Sequence, residues 1–211
     1  MSVALESSPL RRSRRANEAV GSTTRLIQLG LTSFATRAVN SGGGGRARAS
    51  AASLEASIDS PAMAPRYVAV CGQGAPDPEH EKNAREVGRL LAEAGAVVLC
   101  GGRREGVMEA VSSGVREVGG TVIGILPGRD RSEASEHLTL ALPTGLGEAR
   151  NTVLTTAADS VIAIGRGWGT LSEIAFARKL GRTVVGLGTF ELEGLVVADS
   201  PEHAVRLAVA P

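Results

Sequence analysis

The chain has 211 residues, of which 43% are hydrophobic and 21% charged, a composition typical of a globular protein rather than a disordered or fibrous one. Aromatic residues make up only 2%, so the core must consist of aliphatic side chains, as in parallel sheets covered on both faces. The net charge is +1 and no apolar run approaches the ~20 residues that span a bilayer. We therefore expect neither nucleic acid nor a membrane as a partner.

Residues 1–62 differ in composition from the rest of the chain. They contain eight Arg, no Lys and four acidic residues, a net charge of +4, which leaves −3 for residues 63–211. Because they are also rich in Ser, Ala and Gly, we expect a disordered extension. Two origins stay open: an organellar transit peptide, or a mis-assigned start with Met63 as the true first residue. The folded domain is expected at 63–211, in the cytoplasm unless the extension is a transit peptide.

From residue 67 onward, short aliphatic runs alternate with amphipathic runs at helical spacing. In chain order the pattern predicts strand 67–71, helix 80–95, strand 96–100, helix 106–118, strands 121–126 and 138–142, helix 147–158, strand 161–164, helix 170–180, strand 183–187 and a last helix at about 201–209. Such alternation is typical of βαβ units. The sequence therefore predicts an α/β fold, a single Rossmann-like doubly wound parallel sheet, whose strand-to-helix turns gather at one ligand-binding edge.

The first glycine-rich turn at this edge covers residues 100–108. Gly101, Gly102 and Gly106 would let a ligand approach the backbone, since glycine has no Cβ, and Met108 would turn inward from the first helical turn. The alternative is an ordinary loop with solvated arginines and a methionine that belongs to the core. We interpret the turn as one wall of a ligand site.

The second turn covers residues 165–173 and also joins a strand to a helix. The free N–H groups and partial positive charge of a helix N-terminus favour phosphate there, although many such turns are purely structural. The candidate ligand-binding residues of this turn are Arg166, Gly167, Trp168, Gly169 and Thr170. Gly72 and Gln73, after the first predicted strand, are candidates because they end at the same edge.

Arg150 and Glu173 are the candidate catalytic residues. Arg150 follows a loop near the start of one predicted helix, and Glu173 lies one turn into the helix that opens at the second glycine turn. Two opposite charges would then meet in one cleft. The alternative is a surface arginine and a glutamate on the polar face of a helix.

Cysteine and histidine give no sign of a metal site. The three histidines, His80, His137 and His203, are scattered and lack metal-ligand spacing. The two cysteines, Cys71 and Cys100, end apolar runs and are interpreted as small buried hydrophobic residues. We expect no bound metal ligated by this chain.

These motifs together resemble the Lonely Guy (LOG) superfamily over nearly all of residues 66–210. They are Gly101-Gly102 with Gly106-Val107-Met108, the stretch from Gly145 to Arg150-Asn151, and Gly167-Trp168-Gly169-Thr170-Leu171-Ser172-Glu173. The superfamily includes cytokinin riboside 5′-monophosphate phosphoribohydrolases, a branch of molybdenum-cofactor carriers and uncharacterised bacterial relatives. DNA-processing protein A is a distant cousin of this fold.

The resemblance to the hydrolases implies cleavage of the N-glycosidic bond of a nucleoside 5′-monophosphate, with no cofactor required. Arg150 and Glu173 match the hydrolases' catalytic pair, and both charges are retained. The hydrolase glycine motif reads Pro-Gly-Gly-x-Gly-Thr-x-x-Glu, and here Gly165 and Arg166 replace its Pro and first Gly. The Met, His and Lys that flank the hydrolases' arginine are absent. We expect a phosphoribohydrolase, chiefly because both charged positions survive.

The alternative implied by the resemblance is a non-catalytic carrier of the molybdenum cofactor, a phosphorylated pterin. The sequences around Arg150 and in the second glycine turn are more similar to that branch. Arg150, Asn151 and Arg166 would then contact the ligand. Either function implies a small phosphorylated ligand, a nucleoside monophosphate or molybdopterin. The resemblance also implies a homodimer or higher homo-oligomer.

Overall fold

A seven-stranded, all-parallel sheet forms the centre of the computed structural model, which describes residues 64–210 of the chain. Its strands lie in the spatial order β4-β3-β2-β1-β5-β6-β7. Their bounds are β1 Tyr67–Gly72, β2 Val97–Cys100, β3 Thr121–Leu126, β4 Leu140–Pro143, β5 Ser160–Ile164, β6 Thr183–Leu187 and β7 Val196–Ala198.

Five α-helices cover the two faces of this sheet in the described part of the chain. They are α1 Pro78–Glu93, α2 Gly106–Glu117, α3 Arg150–Ala157, α4 Trp168–Lys179 and α5 Pro201–Ala208. A single 3₁₀ turn, Gly147–Ala149, leads into α3. The predicted α/β, doubly wound parallel sheet is therefore confirmed.

The strand order reverses at β1, which pairs with β2 on one side and with β5 on the other. The register places Gly72 of β1 opposite Ile164 of β5, so both strands end at the same level. Ligands of open α/β sheets bind in the crevice beyond such a reversal, because the two following chains leave toward opposite faces. The fold therefore places the candidate site above β1 and β5.

The core consists of two aliphatic layers, one on each face of the sheet. Alternate residues of β1 serve the two layers: Val68 and Val70 point to one, Ala69 and Cys71 to the other. Helices α1, α2 and α5 bury their apolar faces on the first layer, and α3 and α4 on the second. The expected aliphatic core is thus present on both faces.

The elements predicted from the sequence are present, with shifted ends and one omission. Helix α1 begins at Pro78, before the predicted start, because the Asp77 side chain accepts hydrogen bonds from the N–H groups of Glu79 and His80. Strand β7 was not predicted, since its valines Val196 and Val197 are 41% and 71% exposed and show no buried pattern. The predicted extension at 1–62 lies outside the described residues, and its nature stays a prediction.

None of the helices within residues 64–210 is both long and apolar enough to cross a bilayer.

Candidate functional site

A cavity of about 120 Å³ lies at the carboxyl ends of β1 and β2, between α3 and α4. It borders the strand reversal, because β1 ends in its wall and the helix after β5 contributes Gly169 and Glu173. Both glycine turns and both candidate catalytic side chains reach it. Its lining residues are Cys71, Gly72, Gly74, Gly101, Arg103, Glu105, Met108, Glu148, Arg150, Asn151, Gly169 and Glu173.

A buried ion pair forms the floor of this cavity. The Nη1 atom of Arg150 donates a 3.0 Å hydrogen bond to Oε1 of Glu173, and their side chains are 7% and 6% exposed. Arg150 is the first residue of α3, and Glu173 lies in the second turn of α4. The pair therefore joins the two helices that cover the second core layer.

Burial raises the pKa of Glu173 to about 7, although the positive charge and hydrogen bond of Arg150 act in the opposite direction. The carboxylate of Glu148, at the cavity rim, raises this pKa further. Desolvation therefore outweighs the ion pair, and the Glu173 carboxyl exchanges its proton near neutral pH.

Cys71 lies beside Glu173 at the end of β1. Burial raises the pKa of its thiol well above the usual value, and the Glu173 carboxylate raises it further. Cys100 is buried too, with Sγ 3.5 Å from the Ser112 hydroxyl, and does not line the cavity. The prediction that both cysteines are buried is confirmed, but Cys71 also belongs to the cavity wall.

The glycines of the first turn are required by close packing. A Cβ on Gly101 would lie 2.6 Å from Nη2 of Arg150 and 2.6 Å from Sδ of Met108. Gly102 and Gly106 have φ values of +78° and +54°, in the left-handed region that favours glycine. This turn therefore shapes the cavity by bringing its backbone against Arg150.

The N-terminus of α4 borders the cavity at Gly169. Its N-cap, Gly167, has no side chain to accept from the first N–H groups of the helix, which lack partners within it. A Cβ on Gly169 would meet nothing within 4 Å, so a ligand has room at this point. The Thr170 hydroxyl is buried without a hydrogen-bond partner. These groups form a cradle for an anion.

Asn151 links α3 to this cradle. Its Nδ2 donates to the Ser172 hydroxyl at 2.7 Å, and that hydroxyl donates to the carbonyl of Gly169 at 2.7 Å. The Oδ1 atom of Asn151 and the Nε atom of Arg150 are buried without partners. A buried polar atom without a partner is costly, so these atoms are candidates for contact with a ligand.

Other predicted residues support the turns from outside the cavity. Gln73 accepts the backbone N–H of Arg166 at 3.0 Å, and the Arg166 side chain donates to the carbonyl of Thr189 at 3.2 Å. Trp168 is 88% exposed. Of the predicted site residues, the structure brings together Gly72, Gly101, Met108, Arg150, Asn151, Gly169 and Glu173 at the cavity, and leaves Gln73, Gly102, Gly106, Arg166, Gly167, Trp168 and Thr170 outside its lining.

Sequence reasoning missed several cavity residues: Cys71, Gly74, Arg103, Glu105 and Glu148. Most follow directly after β1 or β2, and proximity to the strand reversal was the available signal. Glu148 is set by the 3₁₀ turn, which no sequence pattern predicted. Across residues 64–210, His, Cys, Asp and Glu form no group of three or more that could hold a metal ion.

The parallel sheet and its strand reversal define a Rossmann-like protein. A family model described as the SLOG cluster4 family matches residues 65–209. The chain therefore belongs to the SLOG cluster4 family, and the resemblance seen in its motifs is confirmed.

Two solved structures and one curated relative resemble nearly the whole domain. The molybdenum cofactor binding protein from the phototrophic bacterium Rippkaea orientalis is 38% identical with a TM-score of 0.66, and the match covers 69% of this chain and 96% of that one. The molybdenum cofactor carrier protein from Chlamydomonas reinhardtii is 33% identical with a TM-score of 0.63, covering 68% and 95%. An uncharacterised protein of Archaeoglobus fulgidus is 38% identical over 144 residues, 68% of this chain and 94% of its own.

Proposed function

We propose that this protein binds the molybdenum cofactor, a phosphorylated pterin, and acts as its carrier. The observation that carries the proposal is the set of buried, unpartnered polar atoms beside the open N-terminus of α4. The similarity to two molybdenum cofactor binding proteins supports the identity of the ligand. A carrier needs a phosphate anchor and polar contacts, and requires no catalytic group.

The residues beside the cavity offer the hydrogen-bond donors that a phosphate group needs. Helix N–H groups around Gly169 would donate to phosphate oxygens, and the Thr170 hydroxyl would find the partner that it lacks. Asn151 and Arg150 would offer Oδ1 and Nε to polar groups of the bound molecule. The molybdenum is cargo in this proposal, held by the pterin and not by this chain.

Two features favour binding over hydrolysis. Oε1 of Glu173 already accepts a hydrogen bond from Arg150 in a buried ion pair, a contact that a carrier can keep as purely structural. The residues that flank the hydrolases' arginine are also absent around Arg150. We therefore place the carrier ahead of the phosphoribohydrolase that the retained charges first suggested.

The phosphoribohydrolase is the second candidate, favoured by one observation. The pKa of Glu173 is raised to about 7, which suits a general acid or base at neutral pH. Glu173 would then stabilise the cationic transition state or activate water, and Arg150 would hold substrate charge. Purine and pyrimidine 5′-monophosphates are the substrates to offer. Base release that disappears in Glu173→Gln would support this candidate.

The test of the carrier proposal uses the molybdenum cofactor itself. We would release it from a molybdoenzyme under anaerobic conditions, mix it with the full chain and separate bound from free by gel filtration. Molybdenum, measured by mass spectrometry, and pterin, measured by its fluorescence after oxidation, should co-elute with the protein. The two should be present in equimolar amounts. The proposal would be contradicted if both signals stayed at the level found for an unrelated Rossmann-fold protein.

We also propose that the protein is a homodimer or higher homo-oligomer, as the resemblance implies. Three apolar side chains on α3 and α4, Val153, Phe176 and Leu180, are 39%, 37% and 48% exposed. Light scattering of the purified chain tests this, and a monomer at every concentration would contradict it. A cytoplasmic location stays a prediction.

A further inference from the structure

Arg103 stands between the cavity and a second, outer cleft. The outer cleft has a volume of about 280 Å³ and is lined by Arg103, Arg104, Glu105 and Glu133. Arg103 and Glu105 line both spaces. A ligand that extends from the cavity into the outer cleft must therefore pass the Arg103 side chain.

Three carboxylates from three different segments surround the Arg103 guanidinium. The distances are 3.5 Å from Nε to Glu133, 3.8 Å from Nη2 to Glu148 and 3.9 Å from Nη1 to Glu105. The two longer distances exceed hydrogen-bond length, and Nε is left without a hydrogen-bond partner. The three glutamates are 54–73% exposed, so each ion pair is weak.

The backbone of Arg103 is held by two contacts, whereas its side chain is held only by the long ion pairs. Arg103 pairs with Ala134 in an isolated β-bridge, and the carbonyl of Gly102 accepts the N–H of Ser135 at 2.9 Å. The side chain of the neighbouring Arg104 is held in place, because its Nε donates a hydrogen bond to the carbonyl of Ala134. Of these two arginines, Arg103 is therefore the one whose guanidinium makes only long, exposed ion pairs at the rim.

We propose that Arg103 is a specificity-determining residue, which selects an anionic ligand group at the mouth of the cavity by exchanging its carboxylate partners for that group. The inference rests on the proposed binding of a phosphorylated ligand. Arg103 and Arg150 are the two cations that line the cavity, and Arg150 is already held by Glu173. Arg103 is therefore the cation that a phosphate finds available.

The exchange follows from the geometry of the competing partners. A phosphate dianion accepts two parallel hydrogen bonds from one guanidinium, which are stronger than the long, solvent-screened contacts to three exposed carboxylates. The three glutamates and Arg103 carry a net charge of −2 when ionised, and loss of Arg103 would leave −3. The mouth would then repel anions more strongly and favour cations more.

Cys71 offers a readout that does not depend on the cofactor. It lines the cavity and is 2% exposed, while Cys100 is 0% exposed and lies outside the lining. We would treat the full chain with an anionic and a cationic methanethiosulfonate of similar size. Peptide mass spectrometry then measures the labelling rate at each cysteine. Cys100 reports opening of the whole domain, so a faster rate at Cys71 reports entry through the mouth.

Arg103→Gln should lower the anionic-to-cationic rate ratio at Cys71 by about tenfold, a typical effect of one charge on local reagent concentration. Arg89→Gln is the matched control and should leave the ratio unchanged, because Arg89 also pairs with carboxylates but lines neither the cavity nor the outer cleft. Glu148→Gln should raise the ratio. An equal shift in both arginine variants, no shift in Arg103→Gln, or Cys71 labelled no faster than Cys100 in every variant would overturn the inference.

The two proposals fail separately. If the unaltered chain does not bind the cofactor, the carrier function is contradicted, while a charge-dependent labelling rate at Cys71 would still support the role of Arg103. Cofactor binding that is equally strong in Arg103→Gln and in the unaltered chain would remove the role of Arg103 and keep the carrier.

Discussion

Nη1 of Arg150 lies 3.0 Å from Oε1 of Glu173, and both side chains are more than nine-tenths buried. The pair bridges the first residue of α3 and the second turn of α4. Desolvation of two charges offsets much of their attraction, so such a pair adds little net stability. Its importance lies in position, because it holds the floor of the cavity in one geometry.

Removing one member of this pair should destabilise the fold. In Arg150→Met, Glu173 must either keep an uncompensated buried charge or take up a proton. We expect the free energy of unfolding at pH 8 to fall by about 3–5 kcal/mol, the usual cost of breaking a buried pair. Urea denaturation measures this loss. The double variant Arg150→Met, Glu173→Gln should recover part of it, and a double variant as unstable as the sum of both single variants would contradict the coupling.

Stability should fall with rising pH because of Glu173. Its pKa is about 7 in the folded state and about 4.3 in an unfolded chain, so the folded state holds more protons between these values. The contribution is fully present below the unfolded pKa and is lost as pH rises through the folded pKa. We expect the unaltered chain to lose about 3 kcal/mol relative to Glu173→Gln between pH 4 and 8. Urea midpoints across this range test the sign, and an unaltered chain that gains stability relative to Glu173→Gln as pH rises would be contrary to it.

Thr170→Val separates a ligand contact from a structural one. The Thr170 hydroxyl is buried without a partner, so replacing it with a methyl group should leave the melting temperature unchanged or raise it slightly. Binding of the molybdenum cofactor should weaken by about tenfold, the loss of one hydrogen bond to a charged group.

Thr155→Val is the matched control, because its hydroxyl is also buried but already donates to the carbonyl of Asn151 at 2.9 Å. It should lower stability and leave cofactor binding intact. If Thr170→Val binds the cofactor as the unaltered chain does, Thr170 is no part of the site.

The sequence predicted the sheet well because its strands are buried on both faces. The run Ser160–Ile164 is buried throughout, and such continuous aliphatic segments have few alternatives to a central parallel strand. Strand β7 escaped prediction because it contains three residues at the sheet edge, where exposed valines break the pattern. Periodicity reports burial, so an exposed edge strand leaves little signal.

The site was predictable in part. Spacing and resemblance placed Arg150 and Glu173 together, although Glu173 follows β5 at the strand reversal and Arg150 follows the edge strand β4. Arg166 and Trp168, predicted as ligand-binding residues, do not line the cavity: the side chain of Arg166 donates to the carbonyl of Thr189, and Trp168 is exposed. That contact depends on a loop more than twenty residues away in sequence, which local pattern does not encode.

Two glycines of the site should respond in opposite ways to the same added methyl group. A Cβ on Gly101 would lie 2.6 Å from Nη2 of Arg150, whose position is fixed by Glu173, so Gly101→Ala should cost about 1–3 kcal/mol of stability. Gly169 has open space and lies in the first turn of α4, so Gly169→Ala should gain up to about 1 kcal/mol.

Cofactor binding should nevertheless be lost in Gly169→Ala, since its methyl group would stand over the free N–H groups of the helix. Thermal melting and cofactor retention on gel filtration, measured for both variants, test the pair of expectations. Gly169→Ala with higher stability and unchanged binding would show that the ligand does not approach α4, and the phosphate anchor would have to lie elsewhere at the strand reversal. A stable variant that fails to bind would instead place the ligand against this helix, because loss of fold would no longer explain the loss of binding.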